Sequence, residues 1–372
     1  MTTLVVAFVL SLITTLLLVR YSFLHEKFSA DHDLTSIQKF HSFPVPLIGG
    51  LSLMVGLSLA LMLRFSQDEA SGAFGLVLLL CVLPAFSFGF AEDLTKRIGV
   101  MARLLATLTS AGLAGFFLGG WLSNVQLPVI DNLMAYHPVI AIAVTCFAVA
   151  GVANAFNIID GYNGLSAMVG VIILGGIAYV AFRLSDAEIM IAAIAMIGAI
   201  VGFLLFNYPR GLIFLGDGGA YLIGFWVAEL SVLLTARHQE VSKWFPLLLC
   251  AYPIFETLFS IYRRVVVHRT HPGMPDSAHL HQMIYKRVVR WAVGSSDPGN
   301  MTVRNSLTAP YLWILTSIAV IPAVLFWDNV WILRGCFLIF VLTYVWCYRQ
   351  IVLFKVPKWI MVCGGSSSNS TK

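Results

Sequence analysis

The chain has 372 residues, of which 59% are hydrophobic and 11% charged, and its mean hydropathy is +0.87. Soluble domains carry about a quarter of their residues as charges, so this composition excludes a soluble fold and indicates a membrane protein throughout. The net charge of +5 reads as an orientation signal and an attraction for anionic lipid or substrate, not as a nucleic-acid footprint.

Spanning a hydrocarbon core takes about 20 apolar residues in a helix. The backbone must also satisfy itself internally, which leaves helices or closed barrels. Long unbroken apolar runs, rather than short alternating segments, select helices. In chain order the runs predict spans at 3–20, 46–64, 72–90, 102–121, 138–156, 163–182, 187–206, 218–236, 244–262, 310–327 and 330–348. The first, TLVVAFVLSLITTLLLV, has no basic stretch before it and no small-x-small cleavage site after it, so it reads as a retained helix and not a signal peptide.

With the N-terminus outside, Arg64, Arg183, Arg237, Lys243 and Arg334 fall on the outer side, leaving 18 of the 23 Lys and Arg on the other. That bias makes the richer side cytoplasmic. The fold class expected is an all-α polytopic membrane protein of about eleven transmembrane helices with a cytoplasmic-face active site. One integral domain covers 1–352, with 263–309 as a cytoplasmic loop and 353–372 as a polar tail. The six cysteines show no C-x-x-C and no metal spacing, and read as packing residues.

The polar anomalies all fall at cytoplasmic ends. They are IQKFHSFPVPLIGG (37–50), GFAEDLTKRIGVMAR (89–103), NAFNIIDGYNG (154–164), FNYPRGLIFLGDGG (206–219) and RRVVVHRTHPGMPDSAHLHQMIYKR (263–287). Acidic groups in or beside spans are costly and usually functional. Glu92, Asp93, Asp160 and Asp217 on one face would make a strong negative field unless a cation occupies it. Mg²⁺ suits such a site, because it binds through one or two carboxylates plus substrate phosphates. Lys39, Lys96, Arg97, Arg103, Arg210, Arg263, Arg264 and Arg269 would meet those phosphates. Gly216, Gly218 and Gly219 allow close approach of a ligand or a neighbouring helix and open a helix whose amides favour anions.

Each feature also has a structural reading. Glu92 and Asp93 beside Lys96 and Arg97 make a plausible helix-end ion cluster. Asn154 and Asn157, three apart, can join helices. The glycines suit plain helix packing, and His279 and His281 can be surface histidines. What weighs against these is the conjunction of five anomalies on one side carrying both charge signs.

At these residues the chain resembles the polyprenyl-phosphate N-acetylhexosamine-1-phosphate transferase family, which includes initiators of O-antigen synthesis and the phospho-MurNAc-pentapeptide transferase. PVPLIGG is similar to its P-x-P-x-x-G-G, AEDLTKR to its acidic pair and NAFNIIDGYNGL to N-x-x-N-x-x-D-G-x-D-G-L. FNYPRGLIFLGDGGAYLIG is similar to F-N…F-x-G-D-x-G-S, and PDSAHLHQ to P-D-R-x-H-L-H-H. The resemblance implies attack of a polyprenyl (undecaprenyl) phosphate on the sugar-linked phosphorus of a UDP-sugar, giving polyprenyl-diphosphate-sugar and UMP. The setting it implies is the bacterial inner membrane, at the start of cell-surface polysaccharide synthesis.

The matching motifs imply roles residue by residue. Asp217 would be the principal Mg²⁺ ligand, with Mn²⁺ as a substitute ion. Asp93, a second metal ligand, would with Glu92 hold or deprotonate the lipid phosphate. Asn154, Asn157, Asp160, Asn163 and Asn207 would line the nucleotide and diphosphate pocket. Lys39 and His41 would approach phosphates, while Arg264, His279 and His281 would contact the sugar-phosphate. Glu92 stands where the family has Asp, Asn163 for the second Asp of D-G-x-D-G, Ala220 for Ser, Ser277 for Arg and Gln282 for the last His. The expected partners are the UDP-sugar, the polyprenyl lipid and the bilayer, with no nucleic acid; association into a homodimer stays open. The rival class is a secondary transporter or exporter, which predicts carboxylates near mid-membrane and an inverted repeat. Neither is evident in the sequence.

Overall fold

The computed structural model describes residues 1–29, 45–267, 269, 278–289 and 298–353. Lys39, His41, Ser277 and all but the first residue of the 353–372 tail lie outside them. Among the described residues there are helices and no strands. In chain order they are α1 (Thr2–Arg20), α2 (Ser22–Ser29), α3 (Gly49–Gln67), α4 (Glu69–Thr95), α5 (Val100–Leu118) and α6 (Pro128–Tyr136). There follow α7 (Pro138–Ile159), α8 (Leu165–Arg183), α9 (Ala187–Asn207), α10 (Gly216–Arg237), α11 (Trp244–Leu249) and α12 (Ala251–Tyr262). A π-helical turn (Arg263–Val267), α13 (Leu280–Met283), a second π-helical turn (Ile284–Val289), α14 (Pro298–Leu325) and α15 (Val330–Val352) complete the chain.

Ten described helices are long and apolar enough to cross a membrane. The eleventh predicted span, 244–262, is two shorter helices meeting at Cys250. Pro253 supplies no N–H for the Leu249 carbonyl and its ring crowds that turn, so the helix breaks there. The helix of the last but one span begins at Pro298, with its membrane-length apolar part counted from Met301, not at residue 310. Residues 298–309 are too polar to read as membrane helix, yet they continue α14 beyond its apolar part and carry Arg304, Asn305 and Ser306 towards the active-site end.

Helix α10 is the axis of the bundle. Apart from Asp217, every residue from Gly216 to Thr235 is buried, with α3, α4, α5, α7, α8 and α9 packed around it. A helix apolar on all sides belongs in such a position. At the periphery, α1 turns a stripe of Thr3, Ala7, Ser11 and Thr15 inward against α3 and α9. Small residues every fourth position let backbones approach closely where lipid removes any hydrophobic drive between helices. Of the cysteines, Cys81 and Cys250 are buried, and the five described ones are free.

One expectation fails. Two carboxylates lie deep inside helices: Glu229 is fully buried in α10 and Glu256 is 1% exposed in α12. Glu229 is thirteen residues past Gly216, about 20 Å along the axis at 1.5 Å per residue. Each stands alone in an apolar run, so neither forms a motif by spacing.

Candidate active site

The site is assembled around the first turn of α10. Its N-terminus is wedged between two neighbours so tightly that side chains there would collide. A Cβ on Gly50 of α3 would lie 2.4 Å from the Gly219 nitrogen, and one on Gly89 of α4 would lie 2.8 Å from the Gly218 nitrogen. Gly216 itself has φ +75°, the left-handed region that glycine enters without a Cβ clash. The PVPLIGG segment holds the turn from outside: Phe214 N–H donates to Pro46, Gly49 N–H to Phe214 and Gly50 N–H to Leu215. These glycines therefore serve the approach of backbone to backbone.

The orphan amides of this helix start are capped from another helix. Asp93, 4% exposed in the last turn of α4, accepts the Asp217 N–H at 2.8 Å on one oxygen and the Gly218 N–H at 2.9 Å on the other. A carboxylate belongs electrostatically at a helix N-terminus. Glu92 uses its Oε2 to accept the Ile98 N–H at 2.6 Å, which closes the turn after α4, and its charge still acts on Arg103.

Asp217 presents its side chain on the open face of this turn, 27% exposed. Its Oδ1 accepts a hydrogen bond from Asn157 Nδ2 at 2.8 Å, and its Oδ2 is paired with Arg103 from the first turn of α5. Asp160, one turn past Asn157 at the end of α7, is half-buried. Burial first, then the Asp217 and Asp93 carboxylates, hold its carboxyl well above the usual carboxylate range. Its N–H donates to the Asn157 carbonyl at 3.3 Å, and among the described residues its carboxyl has no hydrogen-bond or ion-pair partner. Lys96, Arg97, Arg210 and Arg269 are exposed.

The loop after α7 is braced, not loose. Asn163 is buried, its N–H donating to Asn305 Oδ1 at 2.8 Å and its Nδ2 to the Pro209 carbonyl at 3.1 Å. Asn207 accepts the Gly164 N–H at 2.6 Å and donates to the Ile213 carbonyl at 2.8 Å. Trp313 Nε1 donates to the Gly164 carbonyl. Asn154 bonds to Ala150, Thr107 and Tyr221, which ties α7 to α5 and α10. These three asparagines thus make hydrogen bonds that join elements, whereas Asn157 reaches Asp217.

His279 and His281 are buried at 6% and 2% exposure, and their rings stack at 5.1 Å. Glu256 anchors them, its Oε1 facing His279 Nδ1 at 3.0 Å and accepting the Leu280 N–H at 3.0 Å, and its Oε2 accepting the Tyr344 hydroxyl at 2.7 Å. His281 meets Tyr162 edge-on at 5.5 Å and lies beside Gly161, next to Asp160. Gln282 accepts the His279 N–H and completes a capping box, so a Gln at this position has a local use. Arg263 donates to Tyr348, while Arg264 is half-buried on the same turn.

Spacing alone did not single out the Glu256 hub or the Arg103–Asp217 pair. Glu256 carried one usable signal, a carboxylate inside the apolar run AYPIFETLF. Among the described residues no three His, Cys, Asp or Glu side chains form a metal cluster. Asp217 and Asp160 are nevertheless hard oxygen donors of the kind that suits Mg²⁺, an ion that fills its remaining positions with water and phosphate oxygens.

Residues 75–235 match the family model described as glycosyl transferase family 4. The chain is 27% identical over 290 residues to a probable undecaprenyl-phosphate N-acetylglucosaminyl 1-phosphate transferase of Bacillus subtilis (strain 168), covering 75% of this chain and 76% of the relative. It is 26% identical over 339 residues to the undecaprenyl-phosphate alpha-N-acetylglucosaminyl 1-phosphate transferase of Yersinia pestis, covering 88% and 86%. A phospho-N-acetylmuramoyl-pentapeptide-transferase of Clostridium beijerinckii is 28% identical over 278 residues, covering 71% and 79%. The matched segment contains Asp93, Arg103, Asn157, Asp160 and Asp217, and over most of its length the chain is similar to undecaprenyl-phosphate N-acetylglucosaminyl 1-phosphate transferases and to a phospho-N-acetylmuramoyl-pentapeptide-transferase.

Proposed function

We propose that this protein transfers a sugar 1-phosphate, of the N-acetylhexosamine type, from a UDP-sugar to undecaprenyl phosphate. An oxygen of the lipid phosphate attacks the sugar-linked phosphorus. The bond from that phosphorus to the oxygen of the uridine-linked phosphate breaks, and UMP leaves. The product is the lipid diphosphate sugar, which begins a bacterial cell-surface polysaccharide such as O-antigen. The 18 basic residues on one side support a multi-pass protein of the inner membrane with its N-terminus outside and its site facing the cytoplasm.

The reading is carried by the convergence of Asp93, Asn157 and Asp217 at the amide end of α10, whose carboxylates also act on Asp160. Phosphoryl transfer depends mostly on positioning and charge neutralisation. The lipid phosphate, with a second pKa near 6, is already largely dianionic and needs no strong base. Asp93 fixes the helix start, so that Asp217 is held at one place in the site. Asn157 orients the Asp217 carboxylate. Exposed Lys96, Arg97 and Arg210 draw phosphates to the rim. Bound Mg²⁺, or Mn²⁺ in its place, would be held by Asp217, with Asp160 as the second carboxylate in place of the expected Asp93, whose two oxygens accept backbone amides, and would neutralise diphosphate charge.

Purified protein in nanodiscs, given undecaprenyl phosphate, Mg²⁺ and UDP-N-acetylglucosamine, should yield lipid-linked sugar and UMP in equal amounts. UDP-N-acetylgalactosamine and 6-deoxy donors, run in parallel, identify the sugar. Release of UDP in place of UMP would mean transfer of the sugar without its phosphate and would refute the reading.

A further inference from the structure

Asp217 is the carboxylate on which the metal reading depends, and here one of its oxygens is already held by a cation. Arg103 Nη1 pairs with Oδ2, while Oδ1 accepts from Asn157. The bridge is not a finished structural one. The Arg103 Nε is buried without a hydrogen-bond partner, so only part of the guanidinium fork is used. Of the other acidic groups nearby, Asp93 and Glu92 are engaged with backbone amides, Asp93 with Asp217 and Gly218 and Glu92 with Ile98, while Asp160 feels the Asp217 carboxylate without pairing with Arg103. Arg103 and Asp217 are also both reachable from solvent, at 15% and 27% exposure, so the pair can open without dismantling the bundle.

We infer that Arg103 is an exchangeable counter-ion of Asp217. It neutralises the carboxylate in the cation-free protein, yields it when a divalent cation is loaded, and then offers its freed guanidinium to the phosphates of the substrates. Two positive groups cannot both take the same carboxylate oxygen at full strength, and they repel each other at that distance. A planar guanidinium with unused donors is well suited to receive a phosphate. The inference rests on the reading of Asp217 as a metal donor.

The exchange makes a prediction with opposed signs: loss of Arg103 should tighten cation binding and weaken transfer. A purely structural ion pair would weaken both. Mn²⁺ binding to the purified full-length protein, without substrates, is measured by electron paramagnetic resonance of the free ion. R103A should bind Mn²⁺ tighter than wild type by about tenfold, the order expected when one partly screened charge is removed next to the site. R103K, which keeps the charge, should stay closer to wild type. D217N should lose the site, and thermal unfolding checks that each variant is folded. Unchanged or weaker Mn²⁺ binding by folded R103A, with D217N still abolishing it, would overturn the exchange and leave the metal reading standing. Mn²⁺ binding by D217N equal to wild type would overturn both.

Discussion

Asp93 accepts the amide hydrogens of Asp217 and of Gly218 at once, so a carboxylate at the end of one helix caps the start of another. Its charge is unfavourable at the C-terminus of α4 and favourable at the N-terminus of α10. The cap fixes the backbone that carries Asp217. Asn at this position keeps the shape but has one acceptor oxygen, so one buried amide loses its partner. D93N should lower kcat by about 100-fold, the loss expected from a displacement of about 1 Å in a positioned group. D93E should fare no better, because the longer side chain cannot span both amides. A D93E enzyme with near-normal kcat would argue for a proton-transfer role in place of the cap.

The glycine wedge gives a second test. G50A would push a methyl group to 2.4 Å from the Gly219 nitrogen, and the atom it meets is backbone that cannot rotate away. Overpacking of this kind costs about 1–3 kcal/mol, and here it would also shift the catalytic turn. G50A should lose transfer activity and unfold at lower temperature. At Gly151 in α7 an added Cβ would have nothing within 4 Å of it, so G151A should leave both unchanged.

The Glu256 hub predicts a graded response. Y344F removes one hydrogen bond to a buried carboxylate and should cost about 1–3 kcal/mol of stability while leaving the histidine side intact. E256Q cannot accept from both His279 and Leu280 while also accepting from Tyr344 in the same way. It should raise the KM for the UDP-sugar more than Y344F does. Equal effects of the two variants on stability and on KM would reduce the hub to a strut.

At the opposite end of the bundle, Asp186 caps α9 through the Ile189 N–H and also meets His238 and Arg237. Burial pushes its carboxyl up, but the Ile189 amide, His238 and Arg237 outweigh it and hold the group below the usual carboxylate range. A carboxyl lowered in the folded state stabilises the protein above its unfolded value of about 3.9 and loses that contribution as pH falls through the folded value. D186A should cost about 1–2 kcal/mol at neutral pH, the difference from wild type shrinking below about pH 4. Activity at permissive temperature should persist, since the residue is remote from the site.

Much of this fold was legible because apolar runs of membrane length have few alternatives to helix. The run at 244–262 read as one span because its prolines are apolar, although Pro253 breaks it. The polar start of α14 read as loop because hydropathy does not register a helix that continues past its apolar segment. In the site, Asp217 and Asp93 stood out as charges where charge is costly. What each one does was hidden, because a cap between helices 124 residues apart in sequence leaves no local pattern. Asn163 and Asn207 share the chemistry of Asn157, and only the fold distinguishes a brace from a group facing Asp217.

The proposed chemistry depends most on one carboxylate, Asp217, at the mouth of α10. UMP release from UDP-N-acetylglucosamine, or from whichever UDP-sugar proves to be the donor, should be compared for wild type and D217N in membranes with undecaprenyl phosphate and Mg²⁺ at matched protein levels. A fall of about 1,000-fold or more in D217N, with normal insertion, is the expected result for a group that neutralises transition-state charge. Turnover by D217N at the wild-type rate would contradict it.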